Sequence, residues 1–358
     1  MRRRAFLASL AALPGLLPST SQAVEFAPVL PGRKLVFPAD HGAHPEFRSE
    51  WWYATGWLRL PDGSSVGFQI TFFRVRTGIG ENSASAFAPR QLLLAHAAIA
   101  DPAHGRLRHA ERSARAGFGR AGVATDTTRV WMGDWEFRLV DGHYLAKVSG
   151  EDFSYTLQLS PDGPPVLNGR DGFSAKAADP RHASYYYSRP QLRVSGQIAI
   201  EGRQQPVTGL AWLDHEWSSE LLAAGAQGWD WVGINLQGGG ALMAFRLRDN
   251  QRQPIWAAAT LRSPDGKVRI FDPADIAFTP GRQWQSPRTG IAYPVAWQLR
   301  VGERQFMLEP LLDDQELDSR RSTGAIYWEG AIRVTEDQRP VGEGYLEMTG
   351  YGDRIRVG

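Results

Sequence analysis

Runs of β-branched and aromatic residues, each closed by a turn sequence, recur along this chain, and that pattern leaves room for little but antiparallel strands. Trp52 to Leu60 runs into Pro61-Asp62-Gly63, and Val66 to Val75 resumes the run. Trp135 to Val140, Asp141-Gly142 and Tyr144 to Val148 repeat the arrangement, as do Ala257 to Leu261, Pro264-Asp265-Gly266 and Val268 to Phe271. Asp-Gly between two such runs signals a hairpin, because both residues tolerate the positive φ of a tight turn. Further strands are expected at Ala296 to Val301, Gln305 to Glu309, Ala325 to Thr335 and Gly344 to Gly350. Beyond the first two dozen positions, no segment longer than about ten residues keeps a 3.6-residue period. Short turns near Ser219 to Ala224 and Pro273 to Ile276 are the only helical pieces expected. The chain is read as all-β. Its 38 glycines and 23 prolines suit a turn-rich protein, and 358 residues suffice for a core without staples. Zero cysteines exclude disulfides, CxxC redox chemistry, zinc fingers and a cysteine nucleophile. No run of about 18 apolar residues occurs, so the protein is not expected to be integral to a membrane.

The formal charge of +2 misleads. Arg2, Arg3 and Arg4 precede the apolar stretch Ala5 to Leu17 and the small-x-small site Ser21-Gln22-Ala23, so residues 1–23 read as a signal peptide. Arg3-Arg4-Ala5-Phe6-Leu7 matches the twin-arginine pattern; an ordinary signal with a basic n-region is the alternative. Either way the protein is expected in the periplasm or secreted. The remainder carries 37 basic and 38 acidic residues, which gives nucleic acid no electrostatic purchase.

A weak internal echo divides the chain. Trp51-x-Tyr53-x-x-Gly56 leads to Phe73-Arg74-Val75-Arg76, and Trp229-x-Trp231-x-Gly233 leads to Phe245-Arg246-Leu247-Arg248. Gly169 to Pro180 reads as a loop, and the join is placed between Arg189 and Pro206. The expected units are 24–195 and 196–358.

Seven of the 13 tryptophans fall in two windows. Trp51, Trp52 and Trp57 lie beside Asp40, His41, His44 and Glu50. Trp212, Trp217, Trp229 and Trp231 lie among Asp214, His215, Glu216 and Asp230. Aromatic walls with a few convergent polar groups describe a pocket for an apolar small molecule, whereas tryptophan in strands can equally pack a core. His41, His44, Glu50, Trp51, Trp52, Tyr53, Glu216, Trp229 and Trp231 are the expected ligand-binding residues. A metal site gathered from His41, His44, Glu50 and His215 has no helical His-Glu-x-x-His spacing behind it, and none is assigned. The sequence shows no alternating strand–helix pattern to hold a nucleophile elbow, which weighs against a serine hydrolase, secreted or otherwise.

Three motifs make the sequence recognisable. Phe37-Pro38-Ala39-Asp40-His41-Gly42-Ala43-His44-Pro45 with Ser49-Glu50-Trp51-Trp52-Tyr53-Ala54-Thr55-Gly56 resembles the opening of the carotenoid 1,2-hydratase/AttH family. Tyr185-Tyr186-Tyr187-Ser188 with Gly209 to Trp217 resembles its central motif, and Gly344 to Tyr351 its closing strand. The resemblance implies two lipocalin-like β-barrel domains packed side by side, with the site near their junction. It also implies either an exported protein associated with an ABC transporter permease or a cofactor-independent hydratase of isoprenoid double bonds. Adding water to such an alkene begins with proton transfer to carbon. That step needs a carboxylic acid kept protonated by an apolar site, with an aromatic face near the cation. The family's aspartate, supported by a His-x-Trp pair, implies Asp230 or Asp214 as the acid, with His215 and Trp217 as its support. No residue matches the family's tyrosine with assurance. In a regular strand Asp230 would face away from Trp229 and Trp231.

Overall fold

Side chains along β1 (Ser49–Arg59) alternate between two buried faces, and that double burial organises the fold. The computed structural model describes residues 24–354, so the signal-peptide reading of residues 1–23 lies outside the described residues. All sheet pairings given for the described residues are antiparallel. The protein is almost entirely β, as expected.

The first sheet opens with β1, β2 (Ser65–Arg76), β3 (Gln91–Asp101) and β4 (Arg106–Arg115). It continues through β5 (Ala121–Val123), β6 (Arg129–Met132), β7 (Trp135–Val140), β8 (His143–Ser149) and β9 (Phe153–Ser160). Two short strands, β10 (Val166–Leu167) and β11 (Phe173–Ala175), precede the long pair β12 (Ala183–Ile200) and β13 (Arg203–Ser218). The strand order is β4-β3-β2-β1-β13-β12-β9-β8-β7-β6-β5, a nearly closed barrel. Trp52, Phe68, Phe72, Trp135, Phe137 and Leu213 fill its interior.

The second sheet holds β14 (Gly228–Leu236), β15 (Ala241–Arg248), β16 (Pro254–Arg262), β17 (Val268–Phe271) and β18 (Ile276–Pro280). A separate hairpin, β19 (Gln283–Gln285) with β20 (Ala292–Pro294), follows. β21 (Trp297–Val301), β22 (Arg304–Pro310), β23 (Glu316–Ser319), β24 (Ala325–Glu336) and β25 (Arg339–Met348) complete the sheet. Its order is β17-β16-β15-β14-β25-β24-β22-β21-β18, and Trp297, Phe306, Trp328 and Leu346 lie in its core. The two lipocalin-like barrels therefore each have a core of their own.

The expected hairpins appear where turn chemistry allows. Asp141 (φ 50°) and Gly142 (φ 79°) both turn left-handed between β7 and β8. Pro273–Asp275 forms a single 3-10 turn, but Ser219 to Ala224 does not wind into one. That segment crosses from one sheet to the other and presses Leu221 and Leu222 against the junction. The sheets also change later than the expected 195/196 join, between Ser218 and Gly228. Glu201 and Gly202 make a hairpin turn inside the first sheet, so β12 and β13 stay paired over most of their length.

The barrels meet through outer faces, not edges. Tyr53, Trp57, Tyr186 and Trp212 from the first pack against Trp231, Phe245, Ala331 and Tyr345 from the second. A Cβ on Gly67 would lie 2.7 Å from Ala331 Cβ and from the Tyr345 hydroxyl, so only glycine lets β2 approach that closely. Trp57 Nε1 donates to Gly344 O at 3.1 Å across the junction. Replacing this buried ring, Trp57→Ala, is expected to cost about 3–5 kcal/mol and to split urea unfolding into two transitions, one per barrel. A single transition at the wild-type midpoint would show that Trp57 does not carry the coupling.

Candidate functional site

The pleat divides the tryptophan-rich motifs into two places. On β1 and β13, Glu50 pairs with Trp217 and Trp52 with His215; both pairs point into the first barrel with Tyr185 and Tyr187. The intervening residues, Trp51 with Glu216 and Tyr53 with Asp214, point to the junction with Tyr186.

Inside the first barrel, Glu50 is a hub. Its Oε1 accepts from His44 Nδ1 at 2.8 Å and His215 Nε2 at 2.9 Å. Its Oε2 accepts from Arg74 Nε at 2.8 Å and the His44 backbone N–H at 2.9 Å. Arg74 Nη2 donates on to His44 O and Phe47 O, and His44 Nε2 reaches Asp40 at 3.0 Å. The His44 ring lies flat on Trp217, centroids 3.7 Å apart, and Trp52 stacks on His215. Burial pushes the Glu50 carboxyl up, but Arg74 and the two histidines outweigh it and hold the group well below the usual carboxylate range. Burial likewise opposes charge on His44, yet Asp40 and Glu50 prevail and raise it. For His215 burial, with His44 beside it, outweighs Glu50 and Asp40 and lowers it. His41, bonded to the Tyr187 hydroxyl at 3.0 Å, is pushed down to about 4, first by burial and then by Arg189.

His44, Glu50 and His215 bring ligand atoms within 4.8 Å of one another, the minimum set for a cation. Hydrogen bonds already join each histidine to Glu50 Oε1, and the Arg74 guanidinium occupies the same carboxylate. The set is closed on itself. It ties the segment before β1 to β1, β2 and β13.

The junction holds a cavity of about 340 Å³. Trp51, Tyr53, Phe73, Leu92, Leu94 and Tyr186 line it from the first barrel; Trp229, Trp231, Phe245, Leu247, Tyr327 and Thr349 line it from the second. Of the expected ligand-binding residues, Trp51, Tyr53, Glu216, Trp229 and Trp231 are here. Glu50 borders the cavity with its side chain fully covered. His41, His44 and Trp52 face the first barrel instead, because they belong to the hub and the opposite pleat.

Asp214 is the aspartate that reaches the cavity. It accepts from the Tyr186 hydroxyl at 2.6 Å, Ser188 Oγ at 2.5 Å and Trp212 Nε1 at 2.6 Å. Trp231 Nε1 in turn donates to the Tyr186 hydroxyl at 3.0 Å. Burial dominates over these three donors and lifts Asp214 to about 7. Lys176, from the loop before β12, pairs with Glu216 at 2.8 Å and stands 4.1 Å over the Phe245 ring.

Asp230 is not a cavity acid. It points into the second barrel, where Arg246 Nε at 2.7 Å, Arg248 Nε at 2.8 Å and the Tyr351 hydroxyl at 2.9 Å hold it. Two guanidiniums and a phenol hydroxyl occupy the carboxylate, which leaves it nothing to offer the cavity. His215 and Trp217 also lie on the far side of the β1–β13 sheet from Asp214, so the expected Asp/His/Trp constellation does not assemble in the cavity.

Two acids absent from the expected set do line it. Glu329 on β24 and Glu347 on β25 stand opposite each other in register. Glu347 accepts from Trp229 Nε1 at 3.0 Å and is lifted to about 8, chiefly by burial. Burial and then Glu347 push Glu329 well above the ordinary range. The signal was Tyr-x-Glu repeated on two strands, Tyr327-x-Glu329 and Tyr345-x-Glu347, which sets both acids on one face.

Two antiparallel barrels, each with its own core and with an acid-lined apolar cavity between their outer faces, define a tandem lipocalin-like protein. Residues 28–351 match the AttH-like family model, and the chain belongs to that family. The crystal structure of a protein assigned as AttH from Nitrosomonas europaea is 50% identical, superposes with a TM-score of 0.86, and covers 91% of this chain and 100% of its own. Kievitone hydratase from Nectria haematococca, 14% identical with a TM-score of 0.68, shares the fold over 92% of this chain and 96% of its own. CghA bound to Sch210972 does so at 13% identity and a TM-score of 0.50, over 85% and 89%. No curated protein matches the sequence significantly.

Two measurements separate the two kinds of acid. Asp214 and Glu347 have folded pKa values raised above the ordinary 3.8 and 4.5, so the folded state holds protons there that the unfolded chain has lost. Their contribution to stability is complete below about pH 4 and fades as pH rises through about 7 and 8. The urea midpoint of the wild type should therefore fall across that window more steeply than that of Asp214→Asn/Glu347→Gln. Asp230→Asn should instead cost about 3–5 kcal/mol at neutral pH, because it strips the buried Arg248 and Arg246 of their counter-charge.

Proposed function

We propose that this protein is an exported carrier that holds a neutral apolar molecule of the lipid or isoprenoid class in the junction cavity. The observation that carries the reading is the cavity itself: about 340 Å³, walled by Trp51, Trp229, Trp231, Phe245 and leucines. Asp214, Glu329 and Glu347 favour the protonated form there, so they offer hydrogen bonds to a hydroxyl or carbonyl and disfavour an anionic ligand. Export is supported by the arginine-led apolar segment with its Ser21-Gln22-Ala23 site. Service to an ABC transporter permease follows from the family resemblance and belongs to the same reading.

A second reading is favoured by one feature of the same cavity. Asp214, lifted to about 7 and flanked by Trp212, Tyr186 and Trp231, has the attributes of an acid that protonates an isoprenoid double bond. Tyr186 would orient the acid and the tryptophan faces would stabilise the cation, with water completing the hydration and no cofactor taking part. Kievitone hydratase shares the fold, and that likeness speaks for the architecture alone.

Native mass spectrometry of the purified protein should find a copurifying apolar molecule, and added acyclic isoprenoids should quench tryptophan emission. Leu94→Lys, which sends a charge into the wall, should weaken that binding roughly tenfold or more. A protein that carries nothing and responds to no isoprenoid would end the carrier reading. Oxygen-labelled water tests the second: label should enter an acyclic isoprenoid with the wild type and not with Asp214→Asn.

A further inference from the structure

Glu329 has an incomplete environment for a buried carboxyl. Its Oε1 is buried without a hydrogen-bond partner, and the hydroxyls of Tyr53 and Tyr327 stand beside it. The titratable groups that face it are Tyr53 from β1, Tyr155 from β9, Tyr345 and Glu347 from β25, and Tyr327 on its own strand. From Tyr327 a continuous chain runs along the cavity wall, which His96 and Ser322 also line, to the far side of Ser322. The Tyr327 hydroxyl is 2.6 Å from His96 Nδ1, His96 Nε2 is 2.8 Å from Ser322 Oγ, and Ser322 Oγ is 2.5 Å from Glu111 Oε2. His96 is fully buried, whereas Glu111 lines a separate polar groove of about 1090 Å³ with Arg106, Arg108, Asp152, Arg288 and Arg320.

The hydrogens along this chain can be placed. Glu111 accepts from both the backbone N–H and the hydroxyl of Ser322, so the serine's one hydrogen points to the groove. His96 Nε2 must then carry the hydrogen of its bond to Ser322. Burial, with His109 nearby on β4, keeps His96 neutral, so its Nδ1 is a bare acceptor and Tyr327 donates to it. The Tyr327 oxygen is left with a lone pair for a hydrogen from Glu329.

We propose that Glu329, Tyr327, His96, Ser322 and Glu111 form a proton relay between the apolar cavity and the polar groove. In one pass Glu329 gives its proton to the Tyr327 oxygen, Tyr327 passes its own to His96 Nδ1, His96 passes the Nε2 proton to Ser322, and Ser322 passes its own to Glu111. One O–H bond breaks at Glu329 and one forms at Glu111. His96 changes tautomer, and none of the three intermediates keeps a charge. The reverse pass starts from the new arrangement and recharges Glu329 from the groove without admitting water to the cavity. The relay rests on the reading that a cavity carboxyl carries a proton, and it gives that acid a supply.

The test is carbon-13 NMR of carboxyl-labelled glutamate in the full chain, with the Glu329 signal assigned by Glu329→Gln. The proton-exchange rate is measured at that signal's own titration midpoint, so it is read whatever the midpoint proves to be. Ser322→Ala and His96→Phe are expected to slow exchange roughly a hundredfold, and Ser322→Thr, which keeps the hydroxyl, to retain the wild-type rate. Glu111→Gln, close to solvent, serves as a second break if His96→Phe fails to fold. Equal rates in the wild type, Ser322→Ala and Glu111→Gln would overturn the relay. A Glu329 midpoint in the ordinary carboxylate range would overturn the protonated-acid reading instead, and the two failures appear in different observables.

Discussion

The strict alternation of side chains along β1, β13 and β14 is the constraint on which the rest of this structure depends. Both faces of these strands are buried, one against a barrel interior and the other against the neighbouring barrel. A period of two therefore sorts every adjacent pair of motif residues into different environments. Glu50, Trp52, His215 and Trp217 go inward; Trp51, Tyr53, Asp214 and Glu216 go to the junction. Asp230 goes into the second barrel, while Trp229 and Trp231 on either side of it face the cavity. A one-residue slip in register would exchange the contents of both sites.

The two environments treat charge in opposite ways. Within each barrel the first hairpin carries a carboxylate–arginine pair in register, Glu50 with Arg74 and Asp230 with Arg246. Those carboxylates are satisfied on all sides, so they act as fixed struts with nothing left to offer a ligand. At the junction the carboxyls have too few cations. Lys176 pairs with Glu216, and Asp214, Glu329 and Glu347 respond to burial by favouring the proton. Rigid scaffold and cavity wall are thus built from the same residue types, and the presence of a guanidinium decides which is which.

Much of the fold was legible because hairpins announce themselves locally. The Asp-Gly turns, the β-branched runs and the echo of Phe73-Arg74 in Phe245-Arg246 all reflect contacts between neighbouring strands. Residues of both tryptophan windows, Trp51 with Trp229 and Trp231, meet at the junction. The site was read less well. The Asp/His/Trp set that the family resemblance implies does not gather in one place, because Asp214 faces the opposite side of its strand from His215 and Trp217. Glu329 and Glu347 went unnoticed because they lie outside the tryptophan-rich windows, and only the β24–β25 register sets them side by side.

By itself, then, the sequence determined an all-β chain of hairpins, the family to which it belongs, and two aromatic clusters that must come together. Those properties follow from local backbone preference and residue type. The tertiary structure alone decided that Asp230 is a strut and Asp214 an acid, that His44, Glu50 and His215 close on one another, and that Glu329 stands at the end of a hydrogen-bonded chain. Each of these depends on which charges and donors are brought within a few ångströms from distant strands. No pattern along a single strand encodes that proximity.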